Sequence, residues 1–372
     1  MTSLSAMPRA GRLDCVCEPG SSVSGDTTDS GGTALLAAGF AFSILAQVLT
    51  LSILPLAGLS LAPIKSLATL PYAAFYGGAA LASLPASLLL DSFGRRAAFS
   101  LGASLGAAGG LVLIWALVTF HFGALMLGAF WLGIAGGFSL FYRHATLPVG
   151  GRGTRALLLV FGAAALAGLV APTIAGFAEA FASQRAFAGT AAAAALAHMG
   201  SLAATAALPY RRMREISPSS RGLQGWRTIV IPTLMGALAW SLMIGLMGAT
   251  PITMAGCGLA GAVAGAIAWH IIAMYAPPLA LACLPRAARP LPMVWAGSLL
   301  LAMGSLIFAL SRQTAGLSLS VVLLGAGWSL VTLGTTLRIH KDGGLSRILL
   351  GLHDGALLSG ALLGALAAGA FS

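Results

Sequence analysis

After residue 32 the chain alternates long apolar runs with short polar seams. A helix needs about 20 apolar residues to cross a hydrocarbon core, and the seams cut the sequence into eleven runs of that kind. Six fall at 33–58, 67–90, 97–120, 123–142, 156–181 and 187–208. Five more follow at 229–250, 261–284, 291–310, 317–336 and 348–371. Residues 1–32 are rich in Ser, Gly, Asp and Thr and read as a disordered cytoplasmic tail. They show no apolar core of a cleavable signal. Residues 209–227 form a basic connector with Arg211, Arg212, Arg214, Arg221 and Arg227. This connector divides an N-terminal bundle, 33–208, from a C-terminal bundle, 228–372, so the chain reads as an all-α integral membrane protein.

Composition agrees with that pattern. Only 8% of residues are charged and 58% are hydrophobic, whereas soluble domains carry about 25% charged residues. The 49 glycines suit helices that approach closely in lipid. The net charge of +11 sits in short loops rather than on a folded basic domain. Anionic lipid headgroups are therefore the expected partner and nucleic acid is not. With the N-terminus in the cytoplasm, only Lys65, Arg185 and Arg312 fall on the outer side, and every other Lys and Arg falls inside. Arg, Ala and Gly bias with only two lysines suggests a bacterial inner membrane. Four cysteines make no disulfide framework; Cys257 and Cys283 read as packing residues. Cys15 and Cys17 have too few companions for a metal site. No phosphate loop or hydrolytic constellation is present, so neither a cofactor nor an enzyme activity is expected.

The two halves resemble each other. Pro85 precedes Asp91 by six residues, and Pro278 precedes Leu284 by six. Arg96 then aligns with Arg289, Arg155 with Arg347, and Gly168 with Gly360, as in transporters built from parallel repeats. The second half holds Leu284 and Ala287 where the first holds Asp91 and Gly94.

The seam between the second and third runs carries Asp91, Gly94, Arg95 and Arg96. It resembles the Gly-x-Leu-Ala-Asp-Arg-x-Gly-Arg-Arg motif of the major facilitator superfamily, with Ser87 and Ser92 replacing the first glycine and the first basic residue. Trp269-His270 with Met274 and Pro277 is similar to a pattern of some bacterial members. Gly168, Ala171, Pro172 and Gly176 partly match the Gly-Pro motif of the superfamily's drug–proton antiporters. The resemblance covers nearly the whole chain after residue 32. It implies two parallel six-helix-type bundles with twelve spans expected against the eleven found. It also implies that Asp91 faces the start of the last run near Ser346. Asp91, Gly94, Arg95, Arg96 and Arg143 are then the candidate gate. Arg143 sits at the cytoplasmic end of its run, and the mid-membrane arginine of proton-coupled members is absent.

Several residues are candidates for binding a substrate or a proton. Asp354, one to two turns inside the last run beside His353, is costly in lipid and therefore a site hypothesis. His270, flanked by Trp269 and one turn from Tyr275, suits an aromatic-lined cavity for a planar solute. Tyr72, Phe75 and Tyr76 share one stripe that faces either the cavity or the last run. Gln47 must find a partner or line water. His198 reads as structural and Glu179 as solvated. The expected function is secondary transport of a small organic solute by alternating access, by a monomer, with a proton as candidate co-substrate. Drug or metabolite efflux, vitamin-type uptake such as riboflavin, and a non-transporting sensor or scaffold are the other readings. Substrate, direction and coupling ion are not legible.

Overall fold

The computed structural model describes residues 30–146, 153–182, 184–209, 225–341 and 345–369. The expectations for the tail, the connector and Phe371 lie outside those residues. The described chain is helical, with no strand among the described residues. In order the helices are α1 (Ser30–Leu61), α2 (Leu70–Thr119), α3 (Phe122–Leu140), α4 (Tyr142–Ala145), α5 (Thr154–Ala163) and α6 (Ala165–Phe181). Then follow α7 (Ala188–Ala206), α8 (Trp226–Gly256), α9 (Val263–Cys283), α10 (Pro290–Leu310), α11 (Thr314–Ile339) and α12 (Arg347–Ala368).

Helix α2 is 50 residues long. A straight helix of that length would reach about 75 Å, more than twice a hydrocarbon core. It folds back at Gly94, which has φ 79° and ψ 177°. That region is open to glycine and closed to residues with a Cβ, so the glycine of the seam creates two spans, 70–93 and 95–119. Helices α5 and α6 form one span broken at Ala164. Among the described residues nine helices are long and apolar enough to cross a membrane, ten once α2 is divided at Gly94, against the eleven apolar runs; α7, rich in alanine, is the run that does not qualify.

Large apolar side chains stay exposed along the passes, among them Leu81, Phe177, Leu196, Leu299 and Leu363. A soluble monomer does not leave so many uncovered; here they face lipid. Outside the connector, the connections between the described helices are short, so the passes they join alternate direction. Arg95, Arg143, Arg347 and His340 share one end, tied by contacts described below. Arg185, stacked on the Phe120 ring at 5.2 Å, lies at the other. The first end is called the basic face.

The described residues from Gly31 onward pack as one unit. Within it α1 to α7 pack on one another, as do α8 to α12. The broadest contacts between the groups among the described residues are α2 against α12, and α5 and α6 against α9. Between α5 and α9 a Cβ on Gly162 would lie 2.9 Å from the Leu279 backbone, closer than real side chains come. Two expectations fail here. Cys257 and Cys283 are exposed rather than packed, because both fall at or beyond a helix end. Glu179 is not simply solvated. Its carboxylate accepts hydrogen bonds from Phe187 N at 2.9 Å, Thr190 N at 2.7 Å and Thr190 Oγ1 at 2.6 Å. It caps the orphan amides of α7, where an anion is favoured by the helix dipole.

Candidate functional site

A cavity of about 100 Å³ lies midway along the spans, between the two helix groups. Helices α1, α2 and α3 supply Phe40, Gln47, Phe75, Tyr76 and Ser139; α8, α9 and α11 supply Trp240, Met243, His270, Tyr275 and Trp328. Its lining continues along Pro55, Pro251 and Ile267, away from the basic face. Among the described residues no Asp, Glu, Lys or Arg lines it.

The rings form a connected wall. Phe40 stacks on Phe161 at 5.4 Å between centroids, and Trp328 meets Trp240 edge-on at 5.0 Å. The polar groups are few and directed. Gln47 Nε2 donates to Ser139 Oγ at 2.7 Å, which leaves the amide oxygen as an acceptor. His270 Nδ1 is 2.6 Å from the Val321 carbonyl. A carbonyl can only accept, so Nδ1 carries the proton and Nε2 is left as an acceptor. Tyr72 donates to the Ile244 carbonyl at 3.3 Å, which joins α2 to α8 beside the cavity. The indole N–H groups of Trp240 and Trp328 are buried without a hydrogen-bond partner. Such donors are costly unless something accepts from them.

The candidate residues separate clearly. Gln47, Tyr72, Phe75, Tyr76, His270 and Tyr275 line the cavity. Trp269 does not: it is 62% exposed on the outside of α9. One residue rotates a helix by about 100°, so the neighbour of an inward-facing His270 faces lipid. The partial Gly-Pro motif also lies elsewhere, with Gly168 against Ile272 of α9 and Pro172 exposed. Asp354 and His353 are absent from the cavity lining and belong to a second cluster.

That cluster closes the basic face. The Arg143 guanidinium is hydrogen-bonded to Asp354 Oδ1, with side chains 1% and 0% exposed. Arg143 therefore completes a pair with Asp354, not a charge group with Asp91. His144 Nε2 lies 3.2 Å from both Asp354 oxygens. It also lies 3.3 Å from Arg143 Nε. It cannot donate to the carboxylate and accept from the guanidinium at once, so the tautomer selects one. On its other side His144 Nδ1 meets His340 Nε2 at 2.9 Å. His353 Nε2 stands 4.0 Å from Asp354, and its Nδ1 bonds Thr233 Oγ1 at 2.7 Å. His340 lies just past α11. Burial first, and then neighbouring His144, Arg143 and Arg347, push its imidazole down to about 3.

A second contact sits nearer the surface. Arg347, the first residue of α12, is 9% exposed and places Nε 3.8 Å from Asp91 Oδ1. Ser87 Oγ donates to the Arg347 carbonyl. The serine that departs from the superfamily motif is thus a fully buried bridge between α2 and α12. Arg95 donates to the Ala145 carbonyl at 3.3 Å, while Arg96 is exposed. The positions aligned with Asp91 and Arg347 in the comparison of the halves form no such pair: Leu284 is 69% exposed and Arg155 is exposed as well.

Sequence reasoning missed Trp240, Trp328, His144 and His340. The tryptophans carried a usable signal. Membrane tryptophans concentrate at the interfaces, and these two sit mid-span.

Comparison with known proteins comes to the same shape. No protein-family profile matches the chain. It is 27% identical over 292 residues to the riboflavin transporter RfnT of Brucella anthropi, covering 76% of this chain and 73% of that one. It superposes on the human organic anion transporter MFSD10 (TETRAN) with a TM-score of 0.68 over 92% of each chain, at 15% identity.

Proposed function

We propose that this chain, a multi-pass membrane protein with the major facilitator fold, carries an uncharged, flat heteroaromatic solute by alternating access. The observation that carries the reading is the mid-span cavity. It is walled by aromatic rings, two of them tryptophans whose indole N–H groups are buried without partners, and no charged side chain lines it among the described residues. An ion would meet no counter-charge there, and desolvating it would be costly. A planar ring system with acceptor and donor edges would stack on the wall and satisfy Trp240, Trp328, His270 Nε2 and the Gln47 amide. The relative named as a riboflavin transporter makes riboflavin the first solute to try.

The closed contacts at one end support a resting state open toward the other. Arg143–Asp354, Asp91–Arg347 and Ser87–Arg347 all bridge the two groups at the basic face. The gate would comprise Asp91, Gly94, Arg95 and Arg143 together with Ser87 and Arg347. The skew of positive charge supports a cytoplasmic basic face and N-terminus, in an inner membrane. The cavity would then await solute from outside.

Quenching of tryptophan emission by riboflavin in the purified protein tests this. Saturable quenching that Trp328→Phe and Trp240→Phe each weaken is expected. Equal quenching in both variants and in a denatured sample would overturn the reading.

A further inference from the structure

We propose that Asp354 is a proton site at which Arg143 and a proton exclude each other, and that the proton arrives and leaves at the basic face alone; this rests on the alternating-access reading above. Arg143 and His144 belong to α4, in the first helix group. Asp354 and His353 on α12, Thr233 on α8 and His340 after α11 belong to the second. Opening the basic face moves the groups apart, so it withdraws Arg143 and His144 from Asp354 together.

What remains around the carboxylate comes from its own group. His353 stands 4.0 Å away with its Nδ1 on Thr233, and His340 and Arg347 lie farther off. Arg347 in turn loses Asp91, which leaves with the first group. Asp354 Oδ2 has only the His144 imidazole beside it, 3.2 Å away and without a well-formed hydrogen bond, even when the face is closed. A carboxylate left between helices without its guanidinium takes a proton rather than remain charged. The step is a simple association: a proton from water adds to a carboxylate oxygen and gives the neutral acid. On closing, Arg143 returns and the proton leaves to the same water.

The one-sidedness follows from the packing. Arg143, His144, His353 and Asp354 are 2% exposed or less, and none of them lines the cavity. Tyr142, the residue before Arg143, is buried against Phe40 at the cavity edge, with ring centroids 5.5 Å apart. The proton therefore biases the gate without crossing the membrane. Acid at the basic face favours opening there, and a pH gradient does not drive accumulation.

The test uses the full chain in lipid nanodiscs, without solute, with Cys15, Cys17 and Cys257 changed to Ser. Spin labels go on native Cys283 and on Phe93→Cys, exposed positions of the two groups at the basic face. Pulsed EPR distances are read from about pH 8 to about pH 5, a range spanning imidazole and shifted carboxylate titrations. The long-distance population should grow as pH falls. Asp354→Asn should be open at every pH, with an open-to-closed ratio raised on the order of 100-fold, as for a broken buried pair. Arg143→Gln should behave alike, which guards against a folding failure in one variant. His340→Gln and His353→Gln should reduce the slope without removing it. A wild-type pH response in Asp354→Asn would overturn the proposal, as would solute accumulation driven by a pH gradient in vesicles. Failure to bind riboflavin leaves this measurement standing, and a failed pH response leaves the binding result standing.

Discussion

The buried Arg143–Asp354 pair lends itself to a quantitative test of the closed face. Both side chains are almost fully excluded from solvent, at 1% and 0% exposure, so surface screening does not dilute the effect. Removing one partner strands the other, which costs about 3–5 kcal/mol. Replacing both by apolar residues of similar volume is neutral or stabilising in comparable buried pairs. Arg143→Met and Asp354→Leu should therefore each raise the open-to-closed ratio of the basic face about 100- to 5000-fold, while the double variant returns most of the way. The readout is alkylation of Ser87→Cys by a water-soluble maleimide, in all four backgrounds. Ser87 is fully buried beneath the Arg347 carbonyl and becomes reachable only when α2 and α12 part. Single variants within about threefold of the parent, or a double variant whose effect is the sum of the singles, would refute a coupled latch.

Three further outcomes follow from the same geometry. Gly94→Ala forces a Cβ into φ 79°, ψ 177° and should cost about 1–3 kcal/mol, read as a lower thermal midpoint; an unchanged midpoint would mean the fold-back does not need glycine. Glu179→Gln removes the charge from the cap of α7 and should cost about 1 kcal/mol, with faster amide exchange confined to the first turn after Phe187. His340 is held near 3 at the closed face, against an ordinary value of 6.5. The opened form thus binds more protons between those values. Closure is fully favoured above about 6.5 and weakens as pH falls toward 3. His340→Gln should flatten that slope in the Ser87→Cys alkylation rate.

Much of the architecture was legible because lipid imposes a blunt rule. Runs of apolar residues long enough to span did become helices, and the charged seam at Asp91–Arg96 became the fold-back at Gly94. The resemblance to the major facilitator superfamily, resting on four motif positions, led to the fold found. The site was legible only in part, because contacts between distant passes leave no local pattern. Asp354 stood out as an acid inside a span, but the sequence does not say that Arg143 meets it from 211 positions away. Ser87 looked like a departure from a motif; its role depends on a carbonyl of α12. Trp269 was drawn toward the cavity by its neighbour His270, although a helix sends adjacent side chains to different surroundings. The cavity tryptophans lie in α8 and α11, outside every motif, and only their mid-span depth marked them.

Uptake of riboflavin into proteoliposomes containing the purified chain tests the central claim most directly. The account predicts saturable entry above that of protein-free vesicles, weakened by Trp328→Phe and by Trp240→Phe. It also predicts that the double variant at Arg143 and Asp354 still binds riboflavin. Saturable binding without entry, in vesicles where the protein is folded, would contradict transport and point to a membrane sensor.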